Sequence, residues 1–194
     1  MADFTEGPAF EIGRRMEIRG PFAWLAILSA VADGKATLEN LAAELGAVLE
    51  TPVRIVHYSG SAEELRSELR KDASDPVLIS SLNLADGEHW SVLDINRSGL
   101  IREGAIILWL SVDDLTRLCT FAPNVRSFIG GSIFHVSKSG DALTTAERLE
   151  RISSLEAHFQ ISSSDVIALA EAGNLPTEPH FVEWLVLLDR GDLV

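Results

Sequence analysis

The stretch FAWLAILSAV at residues 22–31 is apolar at nearly every position and decides the fold. A run of this kind forms either a strand buried on both faces or a buried helix. It is followed by a turn signal at residues 33–35, Asp-Gly-Lys, and then by residues 36–49, where leucines recur every third or fourth position. We therefore predict a strand, a tight turn and a helix over residues 22–49.

Four more short apolar segments predict strands, and helical segments separate them. These strands are expected at residues 53–58, 76–82, 105–110 and 132–136. Helices are expected after the capping box Ser61–Glu64, over residues 88–102, and from the cap Ser111 to about Pro123. Strands that alternate with helices over short turns predict an α/β fold with a mainly parallel sheet of about five strands flanked by helices.

After Gly140 the pattern changes to helices alone. Helix starts are indicated by Thr144 with Glu147 and by Ser162 with Asp165. From residue 141 onward the chain carries ten acidic and three basic residues. We expect an α/β domain at residues 1–140 and an acidic helical extension at residues 141–194.

Composition excludes several classes of protein. The chain has 29 acidic and 16 basic residues and a formal net charge of -13, so it repels nucleic acid. Its single cysteine, Cys119, excludes an internal disulfide and a thiolate zinc site. The longest apolar run, residues 22–32, is about half of the roughly 20 residues that a membrane crossing needs. With no signal-peptide pattern in MADFTEGPAF, we expect a cytoplasmic protein without membrane or nucleic-acid partners.

The turn after the first strand is where a phosphate-binding P-loop would lie. Gly34 and Lys35 are present, but Ser29 occupies the position of the first glycine and Ala36 that of the Mg²⁺-binding hydroxyl. Thr37 comes one residue too late. We expect an ordinary Gly-Lys turn that has lost hydrolysis, with Gly34, Lys35 and Thr37 as the candidates for a residual nucleotide site.

Catalytic and metal sites are not indicated by the sequence. Asp86 follows its strand four residues too late to organise Mg²⁺ and water. Cys119 lies on a helix expected to pack on the sheet, where a small buried thiol is common. The five histidines lack the spacing of metal ligands. We therefore expect no enzyme activity, no catalytic residue, no metal and no cofactor.

Two features are candidates for contact with a protein partner. The C-terminal segment places Phe181, Trp184, Leu185 and Leu188 at helical spacing, which fits either the core or an anchor for a partner's groove. Arg126 is expected near the carboxyl edge of the sheet, where ligands bind in open α/β folds. It would form a salt bridge within the fold or bind an anion or a partner carboxylate.

Three separated segments carry a family resemblance. They are Trp90-x2-Leu93-x3-Arg97-x2-Leu100, Ile107-Leu108-Trp109-Leu110 and Ala122-Pro123-Asn124-x2-Ser127-x3-Gly131-x2-Phe134. Together they resemble the N-terminal degenerate P-loop (STAND/AAA-like) domains of bacterial multidomain signalling proteins. Val125 and its neighbours replace a tryptophan of that family. The resemblance implies a P-loop-like α/β domain without an intact phosphate loop, used for regulation or assembly in signalling or defence, here as a free-standing copy with its own helical tail.

These observations favour a non-enzymatic adaptor or regulatory module that binds a protein partner, such as a larger signalling or effector protein, through the helical tail. The alternative is a nucleotide-binding regulatory switch without efficient hydrolysis.

Overall fold

A computed structural model of the chain describes residues 8–20, 22–29, 35–82, 85–136 and 143–194. The strands are β1 (Trp24–Ser29), β2 (Arg54–His57), β3 (Val77–Ser80), β4 (Ile106–Leu110) and β5 (Ile133–Val136). The helices of these ranges are α1 (Pro8–Arg19), α2 (Lys35–Val48), α3 (Ala62–Arg70), α4 (Gly87–Ile95), α5 (Val112–Phe121), α6 (Pro123–Ile129), α7 (Thr145–Phe159), α8 (Ser163–Glu171) and α9 (Pro179–Leu187).

The five strands form one parallel sheet in the order β2-β3-β4-β1-β5. The predicted α/β class, with five strands, flanking helices and helices at the C-terminus, is confirmed. All six residues of β1 and all five of β4 are buried, whereas β2 contains one buried residue. The continuous apolar runs of the sequence therefore form the middle of the sheet, and the least apolar strand forms an edge.

Alternate side chains of β1 enter two separate cores on the two faces of the sheet. Trp24 and Leu28 pack with side chains of α3, α4, α5, α6 and α9. Leu25 and Ile27 pack with side chains of α1 and α2. The helix after β1 and the helix after β4 therefore lie on opposite faces, although β1 and β4 are neighbours.

Polar residues at the helix starts fix where most helices begin. Ser61, Ser111, Thr144 and Ser162 each accept a hydrogen bond from the backbone amide three residues later, as the sequence predicted. Asp86 caps α4 in the same way. Asp86 therefore caps a helix. In the sequence it also lies four residues beyond the position after the strand where a magnesium-organising acid is expected.

Two helices were not predicted from the sequence, and one predicted helix is divided. α1 was missed altogether. Pro123 was expected to end a helix; α5 does end at Phe121, but Pro123 then starts α6, because proline is suited to the first helical turn. The expected helix over residues 88–102 consists of α4 and a 3-10 turn at Arg97–Leu100.

The last helix belongs to two cores at once. Val182 and Val186 of α9 pack in the core beneath the sheet. Phe181, Trp184 and Leu185 of the same helix pack with side chains of α7 and α8. The predicted boundary at residue 140 falls within residues 137–142, outside the described ranges. The described helices that follow it are joined to the sheet through α9.

Candidate functional site

Two of the residues proposed for a nucleotide site, Lys35 and Thr37, belong to the helix that follows β1, a strand beside the point where the connections of the sheet reverse direction. Ligands of open α/β proteins bind in the crevice at such a point, beyond the carboxyl ends of the strands. Here that point lies between β1 and β4. Lys35 is the first residue of α2, and Thr37 is half-buried in its first turn. Gly34 lies outside the described residues.

The candidate anchor residues of the tail lie inside the protein. Phe181, Trp184 and Leu185 are 5%, 0% and 0% exposed, and Leu188 is half-buried beside them. The expectation that these side chains offer apolar area to a partner is wrong, because they already fill the core between α7, α8 and α9. The periodic apolar pattern therefore reflects burial of these four side chains in the protein's own core.

Arg126 also has an internal role. Its side chain is buried, at 8% exposure, and its guanidinium donates to the carbonyl oxygens of Gly130, at 2.7 Å, and Gly191. The expected salt bridge is not found among the described residues: the guanidinium binds two backbone carbonyls and also contacts the Cys119 thiol. Arg126 thereby ties the C-terminal turn to the loop before β5.

Cys119 is poorly suited to nucleophilic chemistry. Burial raises the pKa of its thiol, and the nearby positive charge of Arg126 only partly opposes this effect. The neutral thiol is therefore favoured, whereas the thiolate is the reactive form. Among the described residues, no three histidine, cysteine or acidic side chains are grouped so that they could hold a metal ion.

The sheet has two edge strands, β2 and β5, and we call the outer side of β2 the open edge. The amides of Arg54 and Tyr58 donate to carbonyl oxygens of the β3 segment, at 3.0 Å and 2.9 Å. Because backbone groups alternate in direction along a strand, those of Ile55 and His57 point away from β3. No strand in the described ranges pairs with that side. The open edge thus offers a row of backbone donors and acceptors.

A cavity of about 390 Å³ lies between this strand and α3. We call it the β2 groove; its walls are formed by Ile55, Val56, His57, Ser59, Glu64, Leu65, Ser67 and Glu68. Val56 and Leu65 are buried, whereas His57, Ser59, Glu64 and Ser67 are exposed. The groove therefore combines an apolar floor, a polar rim and a strand edge.

Short polar contacts hold the rim side chains in place. The Ser80 hydroxyl lies 2.7 Å from Nδ1 of His57, and the Ser59 hydroxyl donates to the carboxylate of Glu64. Ser80 is 5% exposed, so its hydroxyl orients the imidazole instead of meeting a substrate.

Arg54 is the charged residue of β2, and its side chain is bound at the end of α3 instead of lying along the open edge. Its guanidinium donates to the carbonyl oxygens of Glu68 and Lys71, at 2.8 Å and 2.7 Å, and so closes the end of α3. A charge projecting from an edge strand is a common means of preventing the addition of another strand. Arg54 is instead held at the end of α3.

Comparison of the chain with protein-family models, curated proteins and solved structures finds no match. Within the described ranges, none of the helices has the length and apolar character that crossing a membrane requires.

The groove residues were not singled out from the sequence. Residues 53–58 were predicted as a strand, but the strand order, which makes this strand an edge, depends on contacts distant in the chain. One signal was available: β2 is shorter and more polar than the strand segments at residues 22–31 and 105–110. Such a strand is typical of a sheet edge.

Proposed function

We propose that this protein is a non-enzymatic adaptor or regulatory module whose protein-binding surface is the open edge of β2 with the β2 groove. The observation that carries the proposal is the accessible row of backbone groups at Ile55 and His57 beside a cavity of about 390 Å³. Addition of a peptide strand to a sheet edge is a recurring mode of recognition, in which backbone hydrogen bonds give affinity and side-chain pockets give specificity.

The family resemblance supports the same class of function. Degenerate P-loop domains of bacterial signalling proteins act in regulation and assembly, and the resemblance covers residues 20–136, with its distinctive part at residues 90–134. The proposed docking surface differs from the helical tail expected from the sequence, because the apolar side chains of α9 are buried in the core.

A proline substitution in β2 tests the proposal. His57→Pro removes an amide that points away from β3, so the β2–β3 hydrogen bonds remain while strand addition is blocked. We expect peptides selected from a random phage-displayed library on the wild-type protein to bind His57→Pro at least about tenfold more weakly, a loss typical of one or two backbone hydrogen bonds. Fluorescence anisotropy with the selected peptides measures this difference.

Two matched variants control this experiment. His57→Ala removes the imidazole but keeps the backbone amide, so it should weaken binding only partly. Thr145→Pro introduces proline at the exposed first position of α7, where it is tolerated, far from β2 along the chain. Selected peptides that bind His57→Pro as tightly as they bind wild type would refute the proposed surface.

A specific observation also favours the second candidate, a nucleotide-binding regulatory switch. α2, which begins at Lys35, is the helix that follows β1, and the helices after β1 and β4 lie on opposite faces. This is the place in an open sheet where ligands commonly bind.

Calorimetric titration of ATP and GTP, with and without Mg²⁺, tests the switch. If the switch exists, wild type binds a triphosphate weakly and Lys35→Ala loses that binding, because the ammonium group no longer balances the phosphate charge. Absence of heat at high protein concentration, or equal binding by the two proteins, would reject the switch. Either result leaves the β2 surface to be tested separately.

A further inference from the structure

We propose that the occupant of the β2 groove is an extended protein segment in which basic residues alternate with β-branched apolar residues. This inference rests on the proposed function and adds the chemistry of the partner. The two faces of β2 differ in character, and the side chains of an added strand would contact both of them. The chemistry of the partner follows from this difference.

The first face lies on the side of α3. Val56 packs in the same core as Leu65 of α3, and both contribute to the apolar floor of the groove. The carboxylate of Glu64 lies on the rim, where Ser59 hydrogen bonds to it. A lysine or arginine of the partner can lay its aliphatic stem over this floor and bring its charge to the rim.

Glu64 is the acidic residue of the groove that can pair with a basic side chain of the partner. Among the described residues, Lys71 and Arg54 lie within salt-bridge distance of Glu68, the other acid of the groove, whereas Glu64 has no basic residue at that distance. The positive end of the α3 dipole favours Glu64 at the helix start without neutralising it. A basic side chain of a partner would supply the missing opposite charge.

The second face lies on the side of α2. Ile55 and Val53 pack against the core formed by α1 and α2, and both remain half-buried. Because side chains alternate along a strand, every second residue of an added strand would lie beside them. At these positions of the partner, valine, isoleucine or threonine would pack against Ile55 and Val53 and bury them further.

Charge also argues against a second copy of this chain as the occupant. Each copy has a formal net charge of -13, so two copies repel each other. The same charge attracts a basic segment and speeds its association at low salt.

The test uses synthetic peptides on the full chain. One ten-residue peptide alternates valine and lysine, a second alternates valine and glutamate, and a third has the composition of the first with all valines before all lysines. We expect the first peptide to bind on the order of tenfold more tightly than each of the others, measured by fluorescence anisotropy. Its affinity should fall as salt rises from 50 to 300 mM.

Variants locate the contact. Glu64→Gln should weaken binding of the first peptide about twofold to fivefold, the range for one exposed ion pair. His57→Pro should weaken it at least about tenfold, because backbone hydrogen bonds are lost. Glu150→Gln removes the same charge from an exposed site on α7 and should change the affinity by less than that.

Three results would overturn the inference. If library peptides bind in a manner that His57→Pro abolishes but lack alternating basic residues, the proposed function stands and the partner chemistry is wrong. If no peptide depends on the β2 amides, both fall. If sedimentation shows a dimer that His57→Pro dissociates, the occupant is a second copy.

Discussion

Replacement of Trp184 by alanine is expected to lower the free energy of unfolding by about 3–5 kcal/mol, the usual range for removing a buried large aromatic side chain. Trp184 is fully buried and packs on Phe181 and Phe159, with ring centroids 6.0 and 6.2 Å away. Its indole N–H also donates to the Ser163 hydroxyl at 3.1 Å, so the substitution removes a bond between α9 and α8. Urea unfolding followed by circular dichroism measures the change.

The same experiment separates a core role of the C-terminal helix from a docking role. Phe10→Ala serves as the control, because this aromatic side chain is 41% exposed and its loss should change stability far less. Because α9 also packs beneath the sheet, removal of residues 178–194 should abolish cooperative unfolding of the sheet as well. A Trp184→Ala protein as stable as wild type would contradict the core role and restore α9 as a docking element.

The ion pair between Arg151 and Glu183 gives the second large effect. Arg151 of α7 makes two contacts with the Glu183 carboxylate, at 2.8 and 2.9 Å, and Glu183 is 6% exposed. Arg151→Ala leaves this buried carboxylate without its cation. We expect a loss of about 2–3 kcal/mol, less than the roughly 3–5 kcal/mol for a wholly buried pair because Arg151 is partly exposed. Arg190→Ala is the control: it removes contacts to the exposed acids Glu171 and Asp192, and should change stability much less than Arg151→Ala does.

This pair predicts a dependence of stability on pH. Burial alone would raise the pKa of the Glu183 carboxyl, but the hydrogen bonds and charge of Arg151, with smaller contributions from His180 and His135, outweigh it and hold the pKa below its ordinary value of 4.5. The folded state therefore favours ionised Glu183, and its contribution is complete above pH 4.5 and lost as the pH falls through the folded pKa. Below pH 4.5, the stability difference between wild type and Glu183→Gln should shrink. A difference that widens as the solution is acidified from pH 4.5 would contradict this assignment.

Much of the fold follows from local patterns in the sequence. The apolar segments at residues 22–31 and 105–110 contain β1 and β4, and the caps at Ser61, Ser111 and Thr144 start the helices expected after them. These features depend on neighbouring residues and on burial of a strand on both faces. α1 was not recognised, and α6 was missed because Pro123 was taken as a stop signal when it begins a helix.

The candidate site depends on tertiary arrangement and was predicted less well. Whether Trp184 lies inside or outside is decided by α7 and α8, and whether β2 is central or at an edge is decided by the strand order. Neither is encoded in the local spacing. The sequence pattern correctly marked the C-terminal apolar stripe as important, but the same stripe fits a core helix and a docking helix equally well.

Amide hydrogen exchange at the open edge tests the proposed binding surface most directly. In the free protein, the amides of Ile55 and His57 should exchange faster than those of Arg54 and Tyr58, which donate to the β3 segment. On addition of the alternating valine–lysine peptide, or of a peptide selected from the library, the Ile55 and His57 amides should become protected. Unchanged exchange at these two amides in the presence of a bound peptide would contradict strand addition at β2.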